Sequence, residues 1–316
     1  MDIDKIMKEM NTEYFNAKMI HNEVYCVEAN NEKYIVKINA PSLLRRIINN
    51  LNRAKDIAFQ NEIWFYKRIS EKSFKHFRYP RMIRTDGKRY IVLECISGTD
   101  GWNKTIVSQQ HLISALLEFQ FSGIVIEESF TKRTLTKWYR KVPCKAIRWA
   151  YKLIKTPADL ITWLKCILIV MKGIIAVKKI TYPICNHNDL FYFNNLITGN
   201  DGNLYFYDFE YVIAEDKWFL TDIFDLSFNL ETLELQSELL CEYIRQVACK
   251  TGDLNILRYM ESQTRVILIR KLLGVILSRR RKEANKDNCR NFIINILLSD
   301  KEYKQWYTKN IESICF

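Results

Sequence analysis

Residues 187–211 read HNDLFYFNNLITGNDGNLYFYDFEY, an apolar run that holds acids and amides at particular places. Asp189 is followed five residues later by Asn194 and nineteen later by Asp208. Two short β-like runs, NNLI and LYFYDF, lie between the outer acids, joined by TGNDGN, whose Gly199, Asn200, Asp201 and Gly202 suit a tight reversal. A hairpin brings its two ends together. Asn194 and Asp208 would then sit at the same end, with Asp189 in the loop just before it. Carboxylate and amide oxygens in that arrangement suit a divalent cation, with one carboxylate left to act on a substrate.

Two more charged residues fall where charge is expensive. In YIVKI the alternation puts Tyr34, Val36 and Ile38 on one face and Ile35 and Lys37 on the other. The helical stretch RAKDIAFQNEIWFYKRIS places Glu62 on one stripe with Ala58, Phe65 and Ile69. An unpaired carboxylate there would be costly, and Lys37 is its natural partner. Exposure of both side chains is the alternative.

The elements that position these residues follow from pattern. AKMIHNEVYCVEA and EKYIVKINA read as strands, RAKDIAFQNEIWFYKRIS as a helix, and RYPRMI, the turn TDGKR and YIVLECI as a further β segment. Beyond Gly98 and Gly101 the pattern becomes helical over 107–120, 133–155 and 157–180, then passes through the hairpin to further helices. A β-rich part, 1–96, precedes a mainly helical part, 97–316, and the expected class is α+β with two lobes.

The chain of 316 residues is 48% hydrophobic, which marks it as globular. Its nine cysteines form no CxxC pair, so no zinc site or disulfide framework is expected and the thiols are read as reduced. The start, MDIDKIMKEM, lacks an apolar core, and a cytoplasmic protein is expected. The stretch LITWLKCILIVMKGIIAV is interrupted by Lys165 and Lys172 and reads as a buried helix with one wet edge. The net charge of +12 is uneven: Lys132 to Lys155 holds nine basic residues and no acid, interleaved with Trp138, Tyr139, Trp149 and Tyr151. That pattern suits anionic headgroups or an anionic substrate; a solvated helical face is the alternative. No nucleic-acid-binding motif accompanies it, so nucleic acid is set aside.

Together these pieces resemble the protein-kinase-like small-molecule kinases: the choline/ethanolamine kinases, aminoglycoside phosphotransferases and lipopolysaccharide core sugar kinases. HNDLFYFN resembles the catalytic loop H-x-D-x-x-x-x-N, and YDFEY the metal-binding segment, in the form found in choline kinases. YIVKI is similar to the lysine strand, NEIWFYKRI to the helix that pairs with it, and YIVLECISG to the connector between lobes. The likeness spans roughly residues 18–230. It implies a bilobal protein-kinase-like fold, with a small antiparallel β-rich N-lobe carrying one helix and a larger, mainly helical C-lobe. It also implies ATP and Mg²⁺ as cofactors.

By the same resemblance, Asp189 orients and deprotonates the acceptor hydroxyl, and Asn194 and Asp208 bind Mg²⁺. Lys37 contacts the phosphates, held by Glu62, and backbone groups near Glu94 and Ile96 meet adenine. His187 braces the loop and Glu210 supports the metal. Asp222 and Asp225, in TDIFDL, both fit the acid that holds the catalytic loop. The chain departs from the pattern in having no glycine before Gly87: IHNEVY keeps Asn22 and Tyr25 of the phosphate turn without its glycines. The implied activity is phosphorylation of an alcohol on a small molecule or glycan. The basic segment favours a sugar of a cell-envelope glycan, and the DFEY form favours choline or ethanolamine. A pseudokinase or binding module is the reading of another class.

Overall fold

Three strands, β1 (Tyr14–His21), β2 (Val24–Ala29) and β3 (Glu32–Ile38), form an antiparallel meander from the alternating apolar residues of the first forty positions. The β2–β3 reversal uses Asn30 and Asn31, both left-handed at φ 51° and 63°, as a two-residue hairpin requires. The run AKMIHNEVYCVEA is two strands and not one, because the backbone reverses beside Glu23 at φ 68°. The computed structural model describes residues 3–21, 23–39, 54–125, 154–190, 193–252, 254–278 and 281–315. Asn22, the expected helix at 133–155 and nearly all of the basic segment 132–155 lie outside the described residues.

Strands β4 (Met82–Thr85) and β5 (Tyr90–Glu94) complete a five-stranded antiparallel sheet in the order β1-β2-β3-β5-β4. A short helix, α1 (Ile3–Glu9), packs Ile6 and Met7 against Val27, Val36 and Val92 of that sheet. Helix α2 (Ala54–Ile69) is buried on most sides from Ala58 to Tyr66.

The chain divides into two compact units. The first comprises the described residues of Met1–Phe119, Ile124–Thr136 and Phe193–Ile213. Besides the large sheet and α2 it holds most of α3 (Gln109–Gln120) and a small sheet of β6 (Gly98–Asp100), β8 (Leu196–Gly199) and β9 (Leu204–Phe206). Gly98 permits the β6–β8 approach: a Cβ there would lie 2.3 Å from the carbonyl oxygen of Thr198. Aromatic rings join these parts. Phe65 meets Phe209 with centroids 4.7 Å apart, Phe77 stacks on Phe206 at 5.1 Å, and Phe119 meets Phe206 at 5.4 Å.

The second unit is mainly helical and comprises the described residues of Gln120–Gly123, Lys137–Tyr192 and Ala214–Phe316. Helix α4 (Pro157–Val177) starts at a capping box of Thr156 and Asp159 with Pro157 in its first turn. Strand β7 (Ile184–Asn186) pairs with β10 (Ile213–Asp216), and helix α5 (Leu220–Ser227) is buried throughout. Helices α6 (Ser237–Thr251), α7 (Leu254–Arg258), α8 (Met260–Leu277), α9 (Glu283–Phe292), α10 (Asp300–Tyr307) and α11 (Ser313–Cys315) follow, and α4 and α5 pack on α8.

Two expectations are corrected here. Cys241 of α6 and Cys315 of α11 form a disulfide across 74 residues, where reduced thiols were expected. Packing of α6 on α11 brings their Cα atoms to 4.9 Å, a proximity that no local spacing announces. Helix α4 is also not a buried helix with one wet edge: only a third of its most apolar window is buried.

Candidate active site

The first unit gathers its charges around Lys37. The register of β3 against β2 and β5 turns Val36 and Ile38 into the core, and Lys37 leaves on the other face. Its Nζ lies 2.7 Å from Glu62 Oε1 and 2.6 Å from Asp208 Oδ1. Glu62 is fully buried, whereas the side chain of Asp208 keeps 31% of its exposure. Burial pulls the Lys37 ammonium down, but Glu62 and Asp208 outweigh it and hold its pKa well above the ordinary lysine value. For Glu62 burial is the largest cause and pushes the carboxyl up to about 8; Asp208 and Glu210 push the same way, and Lys37 opposes them.

The hairpin delivers Asp208. Leu196 pairs with Phe206, and the N–H of Tyr207 donates to the carbonyl of Asn195 at 3.1 Å, so Asn194 and Asp208 follow as opposite positions at the open end. Asn194 is exposed. Asp208 is left-handed, at φ 61°, an unusual conformation for a non-glycine residue. It occupies the N-cap position of the 3₁₀ turn Phe209–Tyr211, with no capping hydrogen bond from its side chain. The side-chain amide of Asn61 holds that turn, donating to the carbonyls of Glu210 and Val212 at 3.2 and 3.0 Å. Glu62, Asp208 and Glu210 bring carboxylate oxygens within 4.8 Å of one another. The other Glu62 oxygen, Oε2, is buried without a hydrogen-bond partner.

Glu94 ends β5 with its side chain exposed. Its N–H donates to the Arg81 carbonyl at 2.9 Å, and its carboxylate accepts from the Arg81 N–H at 3.2 Å. Ile96 lies half-buried in the connector between β5 and β6. Tyr25, kept from the phosphate turn, is half-buried on β2.

The second unit holds the segment around Asp189. Strand β7 ends at Asn186, His187 is fully buried, and Asn188 turns the chain at φ 63°, leaving Asp189 half-buried in the loop. The next two residues but one, Phe191 and Tyr192, lie outside the described residues. Both oxygens of Asp222 grip the turn: the N–H of His187 donates to one at 2.7 Å and that of Asn188 to the other at 2.8 Å. Burial, then the neighbouring Asp225, pushes the Asp222 carboxyl up to about 7 against the pull of these two donors. Asp225 instead pairs with Lys271 of α8. Of the two acids in TDIFDL, Asp222 is therefore the one that holds the turn.

Beneath the turn lies a buried polar network. Gln120 donates to the side-chain oxygen of Asn186 at 3.1 Å, and Asn186 donates to Asp216 and to the carbonyl of Trp218 at 3.1 and 3.0 Å. Tyr243 donates to the Phe219 carbonyl at 2.7 Å. Sequence reasoning missed Asn61, Gln120, Asn186 and Asp216. Only Asn61 carried a local signal, as a second polar residue on the buried side of the helix that bears Glu62.

Neither a family model nor a curated protein sequence matches the chain. Solved structures do. The gentamicin complex of the aminoglycoside phosphotransferase APH(2")-IIa aligns over 96% of this chain and 98% of its own, with a TM-score of 0.62 at 14% identity. AMP-bound spectinomycin phosphotransferase APH(9)-Ia gives 0.58 at 12% identity over 94% and 98%. Choline kinase LicA from Streptococcus pneumoniae gives 0.57 at 14% identity over 94% and 98%. The antiparallel sheet of the N-terminal region and the helices of the C-terminal region are thus the α+β, protein-kinase-like fold of small-molecule kinases.

Proposed function

We propose that the chain is an ATP-dependent phosphotransferase that phosphorylates a hydroxyl group, with residues 1–96 serving the nucleotide and 97–316 the acceptor. The observation that carries this reading is the double contact of Lys37 with Glu62 and Asp208, on a fold whose similar structures hold nucleotides. Phosphoryl transfer needs positioning and neutralised charge more than covalent help. Lys37 supplies a cation for the phosphates, and buried Glu62 fixes where it points. Backbone groups near Glu94 and Ile96 receive the adenine. Asp189, on a turn clamped by Asp222, accepts the proton of the attacking hydroxyl as that oxygen bonds to the γ-phosphorus of ATP and the bond to the departing ADP breaks. His187 packs behind that turn, and Lys271 balances Asp225 beside it.

The residues present fit Mg²⁺. Three carboxylates, Glu62, Asp208 and Glu210, with oxygens within 4.8 Å of one another form a hard oxygen donor set, and Glu62 also keeps a buried Oε2 without a hydrogen-bond partner. Asp208 and Asn194 would hold the ion, with Glu210 alongside. When bound, it neutralises phosphate charge.

The acceptor we favour is a sugar hydroxyl of a cell-envelope glycan or lipopolysaccharide-like molecule, supported by the basic segment 132–155, whose charge also suits contact with an anionic membrane from a cytoplasmic position. The DFEY segment supports choline or ethanolamine as the second reading. An acceptor screen with ATP and Mg²⁺, read by the mass gained on phosphorylation, tests both. Asp189→Asn should cut transfer by about a hundredfold or more while nucleotide still binds. Nucleotide binding without turnover on any acceptor would leave the chain a binding module.

A further inference from the structure

Helix α4 is apolar on two opposite sides. One side, including Trp163, Val170, Ile174 and Val177, is buried, and the helix packs on α8. The contact is close at Gly173, where a Cβ would lie 2.3 Å from Cγ2 of Val266. The other side points outward, yet it carries Leu160, Ile161, Leu164, Leu168, Met171 and Ile175, at 43–61% exposure. Their spacing is that of one helical face, and at the helical rise the stripe runs about 22 Å. Scattered exposed apolar residues are ordinary, but a continuous stripe marks a surface that something covers.

The surrounding charge says what covers it. Lys165, Lys172, Lys178 and Lys179 are exposed, and no acid occurs from Leu160 to Lys179. The chain leading into the helix adds nine Lys and Arg without an acid between Lys132 and Lys155, a positive field in any conformation. A second copy would bring like charge against like. An anionic lipid surface meets both requirements, since acyl chains accept the stripe and headgroups accept the lysines.

We propose that the outer face of α4 docks on an anionic phospholipid bilayer, with the helix lying in the interface. The helix is long and apolar enough to cross a membrane by length and composition alone. Crossing would strip its buried side from α8, whereas lying flat keeps that packing and immerses only the stripe. The inference does not rest on the phosphotransferase reading, because it concerns binding to lipid and not turnover.

Flotation of the full chain with phosphatidylcholine vesicles, with and without phosphatidylglycerol and at low and high salt, tests it. The protein should float with the anionic vesicles, less so at high salt. The pair Leu164→Asp and Leu168→Asp should lower the bound fraction about tenfold, with an unchanged thermal melt because both side chains are exposed. If that pair fails to fold, Leu164→Gln with Leu168→Gln should show the same direction of loss. Protein that stays at the bottom under every condition would overturn the proposal. Folded variants that float like the parent would assign binding to the basic residues alone, and equal binding to neutral vesicles would remove the anionic partner. Calorimetric ATP binding by the same variants should be unchanged, which separates this result from the fate of the kinase reading.

Discussion

Replacing Asp222 by asparagine tests how the Asp189 turn is held. In the parent, two N–H groups, from buried His187 and half-buried Asn188, point at two carboxylate oxygens at 2.7 and 2.8 Å. Asparagine keeps one acceptor and turns an NH₂ donor toward the other N–H. A buried N–H left without an acceptor costs about 1–3 kcal/mol. Opposing this, burial and Asp225 raise the Asp222 carboxyl from 3.8 to about 7, a penalty of about 4 kcal/mol on its ionised form that asparagine does not carry. The folded state holds this proton more tightly than the unfolded chain does. The contribution of Asp222 to stability is therefore fully present below about pH 4 and is lost as pH rises through about 7.

Two results follow for Asp222→Asn. The variant should be less stable than the parent at low pH, and the gap should close and then reverse as pH rises from about 4 to about 7, because about 4 kcal/mol exceeds the loss of about 1–3 kcal/mol, read by urea unfolding across that range. The amides of His187 and Asn188 should exchange with deuterium about 10–100-fold faster, since 1.4 kcal/mol is a factor of ten. Unchanged protection at both amides would refute the clamp, whatever the effect on activity. A pH-independent stability gap would refute the raised carboxyl.

Lys37→Met should destabilise the protein by about 1–3 kcal/mol, because it removes the hydrogen-bond donor of the buried Glu62 carboxyl, which is already pushed up to about 8. Adding Glu62→Gln should restore much of that loss without restoring nucleotide affinity, and unfolding curves with calorimetry check both. A single variant that melts like the parent would mean that Glu62 does not depend on Lys37. Asp208→Ala should weaken nucleotide binding far more with Mg²⁺ than without it; equal losses in the two titrations would make Asp208 a structural residue.

The parts legible in the sequence are those set by short spacing. TGNDGN between two apolar runs specifies a hairpin, so the joint arrival of Asn194 and Asp208 follows from turn chemistry alone. Pairing Glu62 with Lys37 needed only the cost of a carboxylate on an apolar helix face. Asp222 and Asp225 are reached only through the resemblance of TDIFDL, and that spacing cannot say which partner each finds. One meets backbone N–H groups about 35 positions earlier in the chain and the other meets Lys271, and only packing decides between them. The Cys241–Cys315 bond and the Gln120–Asn186–Asp216 network are hidden for the same reason.

Helix α4 shows where this logic fails in the opposite direction. A buried charge announces itself because it must be compensated, so the sequence around Glu62 carries evidence of its surroundings. An exposed leucine carries no such mark, since its cost falls on the solvent and not on a neighbouring residue. Leu164 and Trp163 are adjacent and both apolar, yet one is half exposed and the other is 6% exposed. Hydropathy averages the two and reads the whole segment as interior, while the difference lies in which side α8 occupies. Composition therefore reports how apolar α4 is, and packing on α8 determines how much of that surface the folded chain leaves for another medium to cover.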